Sequence, residues 1–157
     1  MTTSPALPTA ADVLRFWFDE ATPQQWFAKD AAFDAAIRTR FAALHAQAAQ
    51  GELWHWRGDA QGRLAEILVL DQFSRNLHRG TPAAFAQDGM ALVLAQEALA
   101  QGLDAQLEPA QRAFLYMPYM HSESPRVQEE SVRLFTALGR ASTAEELAFL
   151  QQPGSSF

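Results

Sequence analysis

The chain has 157 residues, of which 48% are apolar and 19% charged, and its formal net charge is −6. This length and balance predict one folded domain over residues 1–157 and exclude wholesale disorder, while the acidic charge disfavours nucleic acid, whose binding proteins usually carry a basic patch. The lack of cysteine and of any long apolar run excludes disulfide scaffolds, thiolate zinc sites and a membrane span, so we expect a cytoplasmic protein, and nothing in the sequence indicates a cofactor.

Helical periodicity dominates the chain, and strand alternation is nearly absent. The first half predicts a helix capped by Thr9, a turn opened by Pro23, a helix from Asp30 to Gly51, a loop bracketed by Gly58 and Gly62, and a helix over 63–78. The second half predicts a turn at Thr81, a helix capped by Asp88 and ended by Gly102, a helix over 110–120 preceded by Pro109 and kinked or ended by Pro118, a helix from Pro125 to Gly139, and a last short helix capped by Ser142 or Thr143. Antiparallel helix pairs joined by short loops make an all-α array or bundle.

The helix over 63–78 carries a polar stripe although it is apolar on two sides. At 100° per residue, Asp71, Arg75 and His78 fall within one arc, which we expect to point inward or into a cleft. Asp71 and Arg75 also have the i,i+4 spacing that favours an ion pair. Two interpretations stay open: a structural ion pair, or an arginine that recognises an anion. In the second interpretation three neighbouring polar residues contribute to the site: Gln72, Asn76 and Arg79.

A second polar cluster surrounds the end of the helix over 110–120. It contains Tyr116, Tyr119, His121, Ser122 and Glu123. His121 is the best general acid/base candidate, because the ordinary pKa of histidine lies near neutrality, and Glu123 could orient it. Alternatively, the tyrosines are core aromatics with hydrogen-bonded hydroxyls, and a serine here caps the following helix.

These two clusters supply the candidate site residues. The candidate catalytic residues are His121, Asp71 and Glu123, and the candidate ligand-binding residues are Arg75, Asn76, Arg79, Gln72, Tyr116 and Tyr119. No metal site is predicted, because grouping His78 with Asp71, His121 and Glu123 has no supporting spacing. A Gly-rich phosphate loop, a nucleophile elbow and a zinc-binding H-E-x-x-H helix are all missing from the sequence.

Several segments form a recognisable set of motifs: Phe16-Trp17-Phe18, Leu70-Asp71-Gln72-Phe73-Ser74-Arg75-Asn76, Arg79-Gly80-Thr81, Pro118-Tyr119-Met120-His121-Ser122-Glu123, and the tail from Glu145 to Phe157. Together they resemble the bacterial domain-of-unknown-function family 924 over nearly the whole chain. The resemblance implies an all-α fold like the tetratricopeptide-repeat superhelix and no established activity. Members usually carry a further helix and an Arg/His/Phe-rich loop before the final Ser-Thr-x-Glu-Glu helix. Here that helix follows Gly139 almost directly, which implies an internal deletion. The deletion would leave the site open or disabled, and the fold would bury less of its core and depend on a partner chain.

The first functional hypothesis is a helical protein that binds a small anionic ligand or an acidic peptide terminus. Its pocket is lined by Asp71, Arg75 and His121, with Asn76 and Arg79 as further ligand-binding residues. Arginine suits this role because its planar fork binds a carboxylate or phosphate through two hydrogen bonds.

Two other hypotheses belong to different classes of protein. One is a hydrolase or phosphate-processing enzyme, with His121 as acid/base and Asp71 and Glu123 as orienting carboxylates. The other is a protein-interaction scaffold that uses the concave face of the helical array, and a homodimer is left open. The binding hypothesis is preferred because the sequence contains no complete catalytic signature.

Overall fold

In the computed structural model, residues 6–141 are described, and every regular element among them is helical. The helices are α1 (Ala10–Leu14), α2 (Pro23–Phe27), α3 (Ala31–Ala49), α4 (Ala60–Leu68), α5 (Ser74–Leu77), α6 (Asp88–Ala100), α7 (Pro109–Met120) and α8 (Pro125–Ala141). Two π-helical segments extend α1 and join α4 to α5: Arg15–Glu20 and Val69–Phe73. Short 3₁₀ turns cover Trp54–Gly58, Pro82–Phe85 and Leu103–Gln106.

The predicted all-α fold is confirmed. The superhelical detail implied by the family resemblance stays a prediction, and the predicted last helix, capped by Ser142 or Thr143, lies outside the described residues. Over the described range, none of the helices combines the length and the hydropathy needed to cross a membrane.

Local capping interactions begin several helices where the sequence predicts them. The Thr9 hydroxyl accepts the Asp12 backbone N–H at 3.2 Å, and the Asp12 carboxylate accepts the Thr9 N–H at 2.8 Å. Asp30 accepts the Phe33 N–H at 2.9 Å at the start of α3. Pro109 occupies the first turn of α7, where the missing N–H of proline leaves no helical hydrogen bond unmade.

The predicted loop between Gly58 and Gly62 is wrong. Helix α4 already begins at Ala60, because Asp59 caps it and accepts the Gly62 N–H at 2.7 Å. Gly62 is needed for close packing and not for a loop, since a Cβ atom at this position would lie 1.8 Å from the Trp56 carbonyl oxygen. A glycine that permits a close backbone approach looks the same in sequence as a glycine that breaks a helix.

The predicted cap at Asp88 is also wrong, although the helix is present. Asp88 is the first residue inside α6, and Gln87 occupies the cap position without a side-chain capping bond. The Asp88 carboxylate instead accepts two hydrogen bonds from the Arg75 guanidinium. Pro118 lies inside α7, which ends two residues later at Met120, as the missing proline N–H predicts.

Aromatic side chains form the centre of a single contiguous core. The rings of Phe16, Phe41 and Phe73 lie 4.9 to 6.2 Å apart, and Trp17 is 1% exposed. Phe73 belongs to the π-helical segment, so its packing on Phe41 of α3 anchors that segment to the core. Trp54, in contrast, is exposed.

We predict that Gly62→Ala lowers the free energy of unfolding by about 3 kcal/mol, because the added methyl group overlaps the Trp56 carbonyl. Denaturant unfolding measures the change. Gly89→Ala in α6 is the matched control, since nothing lies within 4 Å of its added Cβ. The control should be neutral or more stable by about 0.5–1 kcal/mol. Equal stability of the two variants would contradict the packing role of Gly62.

Candidate functional site

Asp71 lies on the π-helical segment Val69–Phe73 and is 0% exposed. One oxygen of its carboxylate, Oδ1, accepts from Nδ1 of His121 at 2.8 Å and from Nη1 of Arg75 at 2.9 Å. The other oxygen, Oδ2, accepts from Nε2 of Gln72 at 3.0 Å. A buried carboxylate is stable only when it is paired and hydrogen-bonded, and these three donors meet that requirement.

The π-helical segment has its own set of side-chain hydrogen bonds to backbone carbonyls. The Ser74 hydroxyl donates to the Leu70 carbonyl at 2.5 Å, and Nη1 of Arg75 donates to the Asp71 carbonyl at 3.0 Å. Nε2 of His45 lies 2.7 Å from the Ser74 hydroxyl oxygen. Because Ser74 uses its proton on Leu70, His45 donates this bond. Single-turn π-helical insertions often occur at functional sites.

His121 follows directly on α7, and its backbone N–H donates to the Met117 carbonyl at 3.0 Å. Its side chain is 5% exposed and turns to the Asp71 carboxylate. Because a carboxylate accepts at this contact, Nδ1 carries a proton and Nε2 becomes the basic nitrogen of the neutral ring. This arrangement of a carboxylate and an imidazole orients a general acid/base.

Arg75 connects Asp71 to a second carboxylate. Its Nη1 and Nη2 donate to the two oxygens of Asp88 at 2.9 and 3.0 Å. Its guanidinium carbon lies 5.3 Å from the centroid of the Phe85 ring, close enough for a cation–π contact. Two carboxylates and one aromatic ring therefore fix the position of the Arg75 guanidinium.

Two cavities share the Arg75 and Phe85 side chains as part of their walls. The larger cavity, of about 620 Å³, is also lined by Asp88, Gly89, Leu92, Met120, His121, Ser122 and Glu123. The smaller cavity, of about 140 Å³, is also lined by Trp26, Gln72, Asn76, Arg79, Gly80 and Ala84. Four of the residues predicted to bind a ligand line the smaller cavity, and of these only Arg75 also lines the larger one.

Asp34 of α3 holds two of the polar residues that line the smaller cavity, Asn76 and Arg79. Nδ2 of Asn76 donates to Asp34 at 2.8 Å, and Arg79 donates through Nε at 2.9 Å and through Nη2 at 3.2 Å. Burial would raise the pKa of Asp34, but the hydrogen bonds from Arg79 and Asn76 outweigh burial and hold this pKa below its ordinary value. Asp34 therefore stays ionised and keeps both donors in place.

The structure places some candidate residues away from this arrangement. Glu123 is exposed and lines the larger cavity, but Asp71 and not Glu123 binds Nδ1 of His121. Tyr116 and Tyr119 line neither cavity and are buried.

Tyr116 fits the alternative interpretation of a core aromatic with a hydrogen-bonded hydroxyl. Its hydroxyl donates to Asp104 at 2.6 Å, and burial, with this bond, raises the pKa of the phenol. The serines likewise fit the capping interpretation, since Ser122 Oγ accepts the Ser124 N–H at 3.1 Å and Ser124 Oγ accepts the Val127 N–H at 3.3 Å.

His78 does not join Asp71 and Arg75 as the helical arc predicts. Its ring packs against the ring of His45, with centroids 5.6 Å apart. The prediction assumed a regular α-helix, and the π-helical segment changes the rotation per residue before His78 is reached. Within residues 6–141, no group of three or more His, Asp or Glu side chains is arranged to hold a metal ion.

Three residues at the site were missed in the sequence. Asp34 and Phe85 carry no local signal, and Asp88 was interpreted as a helix cap. Asp34 lies 45 residues before Arg79 in the chain, so only the packing of α3 brings them together. The sequence placed the Asp88 charge at the start of a predicted helix, where a cap was the expected role, and nothing local indicated its pairing with Arg75.

The comparisons with known proteins identify a family. The family model for bacterial proteins of unknown function, DUF924, matches residues 13–139, so the chain belongs to this family. A solved structure of a protein of unknown function from Agrobacterium tumefaciens is 37% identical, with a TM-score of 0.79, and the match covers 93% of this chain and 84% of that one. Among curated proteins, none matches significantly.

We predict that His45 makes the stability of the protein depend on pH. Burial, followed by the charge of His78, lowers the pKa of His45 below its ordinary value of 6.5. The unfolded chain therefore takes up the proton first, and the free energy of unfolding falls as the pH drops below about 6.5, by at most about 1.4 kcal/mol per pH unit. Below the lowered pKa of the folded state both states carry the His45 proton, so the free energy of unfolding stays lowered but no longer changes with pH through His45.

Denaturant unfolding between about pH 5 and 8 measures this slope. His45→Gln keeps a donor for Ser74 and should remove the contribution of His45. His55→Gln is the control, because His55 is exposed and should leave the slope unchanged. An unchanged slope in the His45→Gln variant would contradict the assignment.

Proposed function

We propose that the larger cavity binds a small anionic ligand, with the acidic group of the ligand against Arg75 and with His121 in the same wall. The supporting observation is that one buried carboxylate, Asp71, holds the Arg75 guanidinium at 2.9 Å and the His121 ring at 2.8 Å, and both side chains line a cavity of about 620 Å³. Fixed donors bind a ligand without losing side-chain freedom, which favours affinity. A cavity of this volume fits a small molecule.

The start of α6 supports an anionic group at the same place. Asp88 and Gly89, the first two residues of this 13-residue helix, line the cavity, and the cap residue Gln87 makes no side-chain capping bond. The first-turn N–H groups of a helix have no partner within the helix and carry partial positive charge, which attracts anions. Leu92 and Met120 supply apolar wall for the body of the ligand.

The Asp88 carboxylate competes with an anionic ligand for the Arg75 guanidinium. It occupies the fork of Arg75 through two hydrogen bonds and is 25% exposed. A ligand carboxylate or phosphate would take over donors that Asp88 now uses. Removing the charge of Asp88 should therefore tighten binding, whereas an ion pair with only a structural role predicts no such gain.

Isothermal titration with a panel of small carboxylates and phosphate monoesters tests the binding proposal. We expect Arg75→Gln to weaken the binding of a panel member at least about tenfold, because a hydrogen bond to a charged group contributes roughly 1.5–3 kcal/mol. Asp88→Asn should tighten binding of the same compound. Arg133→Gln removes the same charge from an exposed pair with Glu130 and is the matched control.

The proposal is overturned if Arg75→Gln binds the compound as tightly as the wild type and Asp88→Asn brings no gain. The Asp88→Asn arm stays informative if Arg75→Gln does not fold.

A second candidate function, hydrolysis, is supported by the 2.8 Å contact between Asp71 and His121. In such a reaction Nε2 of His121 takes a proton from water, and the water oxygen adds to the carbon or phosphorus atom of an ester. The ester C–O or P–O bond then breaks, and the His121 imidazolium gives the proton to the leaving alkoxide oxygen. Arg75 then lies near the negative charge that develops on the substrate. Asp71 stabilises the imidazolium that forms, as a carboxylate does for an oriented histidine.

For hydrolysis we expect turnover of some member of a panel of carboxylic and phosphate esters, lost by at least a hundredfold in His121→Gln, because general base catalysis contributes about 10²–10⁴-fold. His55→Gln serves as the control, since His55 is exposed on a 3₁₀ turn. Turnover that survives in His121→Gln would exclude this assignment. Ligand binding without turnover by the wild type would leave only the binding function.

A further inference from the structure

We propose that the smaller cavity is a separate site for a compact oxyanion such as a phosphate, sulfate or carboxylate group. This inference goes beyond the ligand of the larger cavity and does not depend on it. It rests on the wall of the smaller cavity, which combines two arginines and two amides with no carboxylate: Arg75, Arg79, Gln72 and Asn76.

Both arginines keep donors that the protein itself does not use. Arg79 donates to Asp34 through Nε and Nη2, and among the contacts described for residues 6–141 its Nη1 makes none. In that same range Arg75 donates through Nη1 and Nη2 only, so its Nε is left over. A guanidinium has five N–H donors in a planar fork, so each side chain can bind a carboxylate and an oxyanion together.

The carboxylates near these arginines do not line the smaller cavity. Asp34 and Asp71 contact the arginines without lining either cavity, and Asp88 lines only the larger one. They therefore hold the guanidinium groups in place, while the wall itself presents donors and no negatively charged oxygen. An anion in the smaller cavity meets no repelling carboxylate oxygen at its surface.

Two buried amides complete the set of donors. Gln72 is 3% exposed and donates to Asp71 at 3.0 Å, and Asn76 is 8% exposed and donates to Asp34 at 2.8 Å. Each amide nitrogen carries two protons, and these bonds use one of them. The orientation of each amide is thus set by a carboxylate, with a second proton available for a ligand.

The volume of the smaller cavity suits a small group. A volume of about 140 Å³ has room for one tetrahedral oxyanion or a carboxylate group. The aromatic rings of Trp26 and Phe85 form the rest of the wall together with Gly80 and Ala84.

Titration with inorganic phosphate, sulfate and acetate tests this site, with isothermal titration calorimetry as the readout. We expect saturable phosphate binding that Arg79→Gln weakens at least tenfold and that Arg79→Lys restores only in part, because lysine keeps the charge without the fork. Arg133→Gln is again the matched control for loss of one positive charge. Equal phosphate affinity in Arg79→Gln, or no saturable binding of any of the three anions, overturns the proposal.

NMR spectroscopy of the wild-type protein gives a second readout that needs no variant. Bound phosphate should shift the side-chain amide signals of Asn76, which lines the smaller cavity and not the larger one. Unmoved Asn76 signals at phosphate saturation overturn the proposal even if Arg79→Gln does not fold. A phosphate monoester that shifts Asn76 as inorganic phosphate does identifies the site as a subsite for a larger ligand. Free phosphate alone identifies an ion site.

Discussion

The buried carboxylate of Asp71 is the interaction on which the rest of the site depends. It accepts hydrogen bonds from Arg75, Gln72 and His121, and Arg75 continues the network to Asp88. A charge buried without partners destabilises a fold, and removal of one partner of a buried pair costs roughly 3–5 kcal/mol. The network therefore ties the end of α7 and the start of α6 to the helix that carries Asp71.

The π-helical segment Val69–Phe73 explains how a carboxylate reaches this position. Two of its backbone carbonyls accept side-chain hydrogen bonds: the Ser74 hydroxyl donates to the Leu70 carbonyl, and Arg75 donates to the Asp71 carbonyl. On the other side of the helix, Phe73 packs into the aromatic core. Backbone irregularity, core packing and the polar network thus support one another at a single turn of helix.

Arg75 and Phe85 line two cavities that differ in chemistry. The larger one combines a histidine oriented by a carboxylate with apolar wall, and the smaller one is lined by arginine, amide, aromatic and small side chains without a carboxylate. In both cavities, carboxylates bind the arginine side chains and restrict their motion. A ligand therefore loses less free energy in immobilising these donors. This division gives a family of unknown function a residue-level basis for biochemical tests.

Local interactions were predictable from the sequence alone: the caps at Thr9 and Asp30, the helix end near Pro118, and the i,i+4 pair of Asp71 with Arg75. Each depends on residues within about one helical turn, and the chain encodes such contacts directly. Tertiary structure alone decided that His121 meets Asp71 across 50 residues, that Arg79 meets Asp34 across 45, and that His78 turns away to His45. Periodicity specifies which face of a helix is buried, but the partner of that face depends on how the helices pack and on where a π-helical turn changes their rotation.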